Sequence, residues 1–169
     1  DTAVPAYHSQ YYRHYRYRRK LIPRVIPFEA RHLDMIRMRR FDIGSIERMD
    51  NWRDVIRKQT ENGSSATGID DNGMVGVIGG VCVVRDGVGV AWAITSDLIV
   101  KYKIYAHRVI RDVVNDSFER FNLHRVEASI IVDHTVSHRW VERLGFKKEG
   151  LMRKFDHKQR DYYLYARVK

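Results

Sequence analysis

Two titratable side chains in the last third of the chain, Glu127 and His134, are of types that move protons, and a hydroxyl, Ser137, follows one helical turn later. A carboxylate can act as a base directly or through a water, and an imidazole titrates near neutrality and can relay a proton. Each also has an ordinary structural reading. Glu127 could pair with Arg125 or Arg153, His134 could be solvated at a helix start, and Ser137 could bond backbone within a first turn. Upstream, Lys101, Lys103, His107 and Arg108 gather cations where a long helical pattern begins. They could neutralise a phosphate by point charge, or simply open a solvated helix.

A different group suits a different partner. Tyr7, Tyr11, Tyr12, Tyr15 and Tyr17 interleave with Arg13, His14, Arg16, Arg18, Arg19 and Lys20, with almost no aliphatic residue among them. Arginines bind phosphates and tyrosines stack on unpaired bases. Tyr11, Tyr12, Arg13, Tyr15, Arg16, Tyr17, Arg18, Arg19 and Lys20 are therefore candidate contacts to RNA or DNA, or to a neighbouring subunit of a large assembly, the ordinary alternative being an arm packed on the chain's own surface. So little apolar surface cannot fold alone. Residues 1–23 are expected to form an extended basic, aromatic arm, and 24–169 the folded domain.

These groups must be positioned by the elements between them. Arg24 to Phe28 reads as a first strand, with Pro27 placing it at an edge. Leu33, Ile36 and Arg40 share one face of an expected helix over Glu29 to Arg40. Ile46, Met49, Trp52 and Ile56 repeat that period over Ser45 to Thr60, with Ser45 as N-cap and Asn62 to Ser65 as the stop. Both helices carry basic residues, Arg31, His32, Arg37, Arg39, Arg40, Arg48, Arg53 and Arg57. Ala66 to Asp70, Met74 to Val84 and Gly89 to Thr95 are strands of a meander, separated by Asp71-Asn72-Gly73 and Arg85-Asp86-Gly87. The longest helix spans about Ile104 to Phe121, with Ala106, Val109, Ile110, Val113, Val114, Phe118 and Phe121 on its stripe. Val126, Ala128, Ile130 and Val132 alternate as a strand, and Val136, Trp140, Val141 and Leu144 mark a helix capped by Gly145. Phe146 starts a short strand, and Tyr162 to Val168 alternate in a last one.

With 169 residues and 44% hydrophobic content, the chain is long enough for one core and short for two. Its 31 Lys and Arg against 21 Asp and Glu give a formal charge of +10, which favours a polyanionic partner or an acidic cofactor. The lone Cys82, small core filler by its setting, excludes an internal disulfide. The scattered histidines show no ligand spacing, so no metal site is expected. The longest apolar run, Met74 to Val84, is too short to cross a bilayer. With one cysteine the chain fits a reducing, intracellular compartment or a particle interior. The chain begins at Asp1 rather than methionine, so an upstream piece is expected to have been removed.

The run His124-Arg125-Val126-Glu127-Ala128, then Ser137 ahead of Leu144-Gly145-Phe146, then Glu149-Gly150, Arg153, Asp161 and Tyr165-Ala166-Arg167 resembles the C-terminal half of the GNAT acyltransferases. Within them it is most similar to the branch that acetylates the N-termini of ribosomal proteins and to phage-encoded relatives. The resemblance implies a GNAT fold of the α/β (α+β) class: a mixed, mostly antiparallel sheet of about six or seven strands with about four helices.

It implies acetyl-CoA as cofactor and an amine as acceptor. Trp92, Ala93 and Ile94 would offer main-chain groups to the pantetheine arm, Lys101, Lys103, His107 and Arg108 would meet the phosphates, and Ser137 would approach the CoA sulfur. The two early helices would shape the acceptor groove, which their charge makes suitable for an acidic acceptor. The departures are specific. The glycine-containing phosphate turn of the family is absent from Ser96 to Lys103, Val90 stands where phage relatives often carry a carboxylate, Val141 replaces a tyrosine, and His134 stands in place of an asparagine. The alternative is therefore a catalytically degenerate GNAT-fold subunit of a nucleoprotein assembly, such as a phage virion or a mitochondrial ribosome.

Overall fold

The computed structural model describes residues 24–40, 42–43 and 51–169. The N-terminal arm, Ser45, Ile46, Arg48 and Met49 lie outside the described residues. Seven strands form one sheet in the order β1-β2-β3-β4-β5-β7-β6. They are β1 Arg24–Pro27, β2 Gly63–Ile69, β3 Val75–Arg85, β4 Val88–Thr95, β5 Arg125–Ile131, β6 Lys147–Met152 and β7 Tyr162–Val168. Every neighbouring pair is antiparallel except β4 and β5, which run parallel. The helices among the described residues are α1 His32–Met35, α2 Trp52–Glu61, α3 Leu98–Lys101, α4 Lys103–Arg120 and α5 Thr135–Arg143.

The sheet separates two apolar clusters. On one side Leu33, Ile36 and Ile56 of the α1–α2 region pack on Ile69, Val75, Ile78 and Ile94, with Trp92 against them. On the other, Val114 and Phe118 of α4 and Val141 and Leu144 near α5 pack with Val81, Val126 and the fully buried Tyr165. Glycines in β2 and β3 let the strands approach. A Cβ on Gly80 would stand 1.8 Å from the Ser64 carbonyl oxygen, a contact no side-chain adjustment can relieve.

Two expected boundaries move, and one expected core residue is exposed. The helix over Glu29 to Arg40 is only the short α1. At Ile36 the backbone turns extended (φ −79°, ψ 125°), Met38 bridges Ser96, and the Arg39 N–H bonds the Thr95 carbonyl at 2.9 Å. Contact with the end of β4 thus replaces helical bonds. Gly63 to Ser65 belong to β2 rather than to a stop, because Ser64 Oγ lies 3.0 Å from Ser117 Oγ of α4 and is drawn into the sheet. Val136, expected on the apolar stripe of α5, is 65% exposed, the stripe being formed by Val141 and Leu144 with the half-buried Trp140 packed against them. Gly145 does cap that helix, at φ 90°.

His32, counted among the surface cations by sequence, is buried at 2% exposure. Its Nδ1 accepts the Glu29 N–H at 3.1 Å and lies 2.9 Å from Thr67 Oγ1, so the hydroxyl donates and the ring proton sits on Nε2. Loss of solvent holds its pKa below the ordinary 6.5, and the ring is neutral.

Candidate functional site

The parallel pair β4 and β5 holds together over three positions only, Val88 with Arg125, Gly89 with Val126 and Val90 with Glu127. Beyond Val90 each strand continues with its outer partner but not with the other. β4 stays paired with β3 to Thr95, and β5 with β7 to Ile131. The result is a fork that opens toward the C-terminal ends of both strands.

The hydrogen-bond directions show which residues line it. Ser96 N–H bonds Gly76 on the β3 side, whereas Thr95 turns its N–H to Asp42 and its carbonyl to Arg39, away from β3. Main-chain polar groups alternate sides along a strand, so Ile94, Trp92 and Val90 face β3 while Ala93 and Ala91 face the fork. The same logic on β5, where Val132 N–H bonds Asp161 beside β7 and Arg125 N–H bonds Gly87 beside β4, turns Ser129 and Ile131 into the fork. Of the three residues named for the pantetheine arm, only Ala93 can therefore offer its N–H. Trp92 and Ile94 instead send their side chains into the cluster under α1 and α2.

At the crotch, Glu127 accepts from Arg125 Nε at 2.6 Å, with Arg85 3.8 Å away, and Arg125 reaches on to Glu149 at 3.0 Å. This is the paired reading of Glu127, with Arg125 rather than Arg153 as partner. The two carboxylates raise the Arg125 pKa, and the guanidinium holds Glu149 below the ordinary range. The cluster closes the fork where the strands meet.

At the mouth stand His134 and Ser137. The chain leaves β5, turns so that the His134 N–H bonds the Ile131 carbonyl at 3.0 Å, and starts α5. Ser137 Oγ then lies 2.9 Å from His134 Nδ1. Partial burial, together with the positive field of Arg39, lowers the His134 pKa, which keeps the imidazole neutral near pH 7. Behind them His138 Nε2 donates to the Val132 carbonyl at 2.9 Å, which leaves Nδ1 to accept from the Tyr165 hydroxyl at 3.0 Å. Tyr165 thereby fixes the tautomer of a ring that ties α5 to the end of β5.

The cations sit at the other lip. α3 ends at Tyr102 (φ −112°, ψ 23°) and α4 begins immediately, with no side-chain N-cap and no acidic residue in its first turn. Its leading N–H groups are thus left to solvent or to an anion. Lys101, Lys103 and Arg108 are exposed and His107 is half-buried, beside the exposed apolar side chains of Val100 and Ile104.

Sequence reasoning missed the contacts that Arg39 and Asp42 make with the end of β4. Asp42 Oδ2 accepts from both the Thr95 N–H (3.1 Å) and the Thr95 hydroxyl (2.7 Å), and Arg39 ion-pairs with Asp97 at 3.5 Å. Nothing in periodicity marks Asp42, because this helical residue acts on a strand far away in sequence. Of the basic residues on this side, Arg31, Arg53 and Arg57 are paired with Glu29, Asp34 and Asp54, while Arg37 and Arg40 are exposed.

A fork of this kind, between parallel strands with a helix starting at each lip, can be set beside known proteins. The profile described as acetyltransferase (GNAT) domain matches residues 22–147. The chain belongs to the GNAT acetyltransferase family. Solved GNAT structures agree in fold at low sequence identity. An acetyltransferase (GNAT family) from Bacillus anthracis is 16% identical with a TM-score of 0.65, covering 88% of this chain and 98% of its own. The ribosomal-protein-S5-alanine acetyltransferase from Vibrio fischeri is 15% identical (TM-score 0.62, 86% and 92% covered). Ard1 from Thermoplasma volcanium is 9% identical (TM-score 0.71, 86% and 97% covered). No curated protein sequence matches the chain. The ribosomal-protein branch is thus one GNAT neighbour among several. Among the described residues no group of His, Cys, Asp and Glu is arranged to hold a metal ion, and no helix is long and apolar enough to cross a membrane.

Proposed function

We propose that the protein transfers an acetyl group from acetyl-CoA to an amine. The observation that carries this reading is the lapse of the β4–β5 ladder after Val90 and Glu127, which leaves Ala91, Ala93 and Ser129 with main-chain groups turned into an open fork. An extended pantetheine arm has amides that can add to such an edge as a further strand would. The pyrophosphate would meet the uncapped start of α4 with Lys101, Lys103, His107 and Arg108, by charge rather than by a glycine turn.

In the step itself, the acceptor amine attacks the thioester carbonyl, whose oxygen is polarised by the Ala93 N–H. The carbon–sulfur bond breaks, and Ser137 Oγ protonates the departing thiolate. His134, neutral and in the Nδ1–H tautomer, hands its proton to Ser137 across the 2.9 Å contact as its Nε2 takes up another, so no imidazolate forms, and the proton that the amine loses balances the one taken up. Glu127, held by Arg125, acts as a strut at the crotch. Arg37 and Arg40 favour an acceptor with acidic surroundings. The test is acetyl-CoA-dependent release of free thiol with a panel of amines and N-terminal peptides, acidic and basic. Turnover supports the reading and its absence across the panel refutes it.

The alternative is a retained fold without chemistry, a structural subunit of a virion or a mitochondrial ribosome whose arm contacts RNA, DNA or neighbours. It is favoured by the missing glycines of Ser96 to Lys103 and by Val90. It predicts neither turnover nor acetyl-CoA binding.

A further inference from the structure

We infer that Asp42 is the catalytic base, taking the proton from the acceptor amine at the open end of β4; this rests on the acetyl-transfer reading above. The placement follows from Thr95. Its N–H faces the fork edge of β4, and Asp42 Oδ2 receives both that N–H and the Thr95 hydroxyl. The carboxylate is therefore fixed on the edge along which the thioester would lie. Both bonds fall on Oδ2, and among the described residues no donor reaches Oδ1.

Distances along the strand fit the chemistry. Ala93 and Thr95 are two residues apart, so their N–H groups on the fork edge are separated by roughly 6.6 Å. A carbonyl oxygen about 3 Å from the Ala93 N–H, attacked by a nitrogen about 3–3.5 Å from its carbon, brings that nitrogen within hydrogen-bond reach of a carboxylate held at Thr95. Asp42 also comes from the α1–α2 side, whereas Ser137 and His134 come from the far side of the fork at α5. Base and acid thus approach the reacting carbon from opposite lips.

The charged surroundings act on the same carboxyl. Loss of solvent pushes the Asp42 carboxyl up, opposed by the Thr95 bonds and by Arg39. Arg39 is itself drawn to Asp97 across 3.5 Å and also bears on His134. As the amine attacks, its nitrogen–carbon bond forms, its proton moves to Asp42 Oδ1, the carbon–sulfur bond breaks and the sulfur leaves with the proton of Ser137. Solvent then returns one proton from Asp42 to the His134–Ser137 pair.

The test is Asp42→Asn, in which the amide oxygen can still accept both Thr95 donors while basicity is lost. Acetyl-CoA affinity, melting temperature and the pH profile of kcat are measured beside wild type. The inference predicts affinity within about threefold, a loss of kcat of about 10²–10⁴-fold, and disappearance of the acidic limb of the profile. Asp42→Ala with added formate covers the case of a poorly folded amide variant, and a base predicts partial rescue. An Asp42→Asn protein with wild-type kcat and acidic limb, or an Asp42→Ala protein that formate does not rescue, overturns the assignment. Wild-type protein that turns over no amine overturns the acetyl-transfer reading itself, a different outcome from an active wild type indifferent to Asp42.

Discussion

Tyr165→Phe removes one oxygen from a side chain with no exposed surface. The ring stays in its cluster with Val126, Val141 and Leu144, so the apolar contribution is unchanged. What is lost is the hydroxyl donated to His138 Nδ1 at 3.0 Å, and with it the fixed tautomer that aims Nε2–H at the Val132 carbonyl. A neutral hydrogen bond contributes about 0.5–1.5 kcal/mol net, and a half-buried acceptor left without its donor raises the cost toward about 2 kcal/mol. For a domain of this size each kcal/mol moves the melting temperature by about 2–4 °C, so calorimetry should record a fall of about 1–8 °C. Because Val132 and His138 bracket the turn that carries His134, acetyl transfer should fall too, by about three- to tenfold at constant acetyl-CoA affinity. A variant that melts within about 1 °C of wild type and keeps full turnover would refute this account of the β5–α5 junction.

The remaining predictions are shorter. Ser137→Ala should lower kcat by about 10–100-fold, whereas Glu127→Gln, which keeps an acceptor for Arg125, should stay within about threefold in steady-state assays. Gly80→Ala should cost about 1–3 kcal/mol in urea denaturation, because its Cβ meets the backbone of β2 at 1.8 Å. His32 and His134 both have folded pKa values below the unfolded 6.5, so the unfolded state binds more protons and stability must fall as pH drops through that value. Urea midpoints between pH 7.5 and 5 should show that decline, with a shallower slope in His32→Gln. Replacing Lys101 and Lys103 by Gln should weaken acetyl-CoA binding by about three- to tenfold each at low salt, and less at high salt.

Much of this was legible in the sequence because the informative residues act locally. The alternation of Tyr162 to Val168, the cap at Gly145 and the stripe of Val109, Val114 and Phe118 are set by neighbours a few positions away, and the structure places strand, cap and helix accordingly. The short α1 and the early start of β2 were not legible. Arg39 bonds Thr95 and Ser64 meets Ser117, contacts between segments more than fifty positions apart that no periodicity reports. The site divides in the same way. Ser137 and His134 lie on one helical turn and could be read together, while Asp42 could not be read beside them, because only the fold brings it to Thr95 at the end of β4. Charge misled where it was taken for surface, since His32 carries none and is buried.

The fork between β4 and β5 is the feature from which the rest follows, and acetyl-CoA is what it should hold. The most direct measurement is the melting temperature of the whole chain with increasing acetyl-CoA. Saturation at about a hundredfold excess over Kd should add about 2.7 kcal/mol, an upward shift of about 5–11 °C, with CoA itself producing a similar rise. An unchanged melting temperature at millimolar acetyl-CoA would contradict the account.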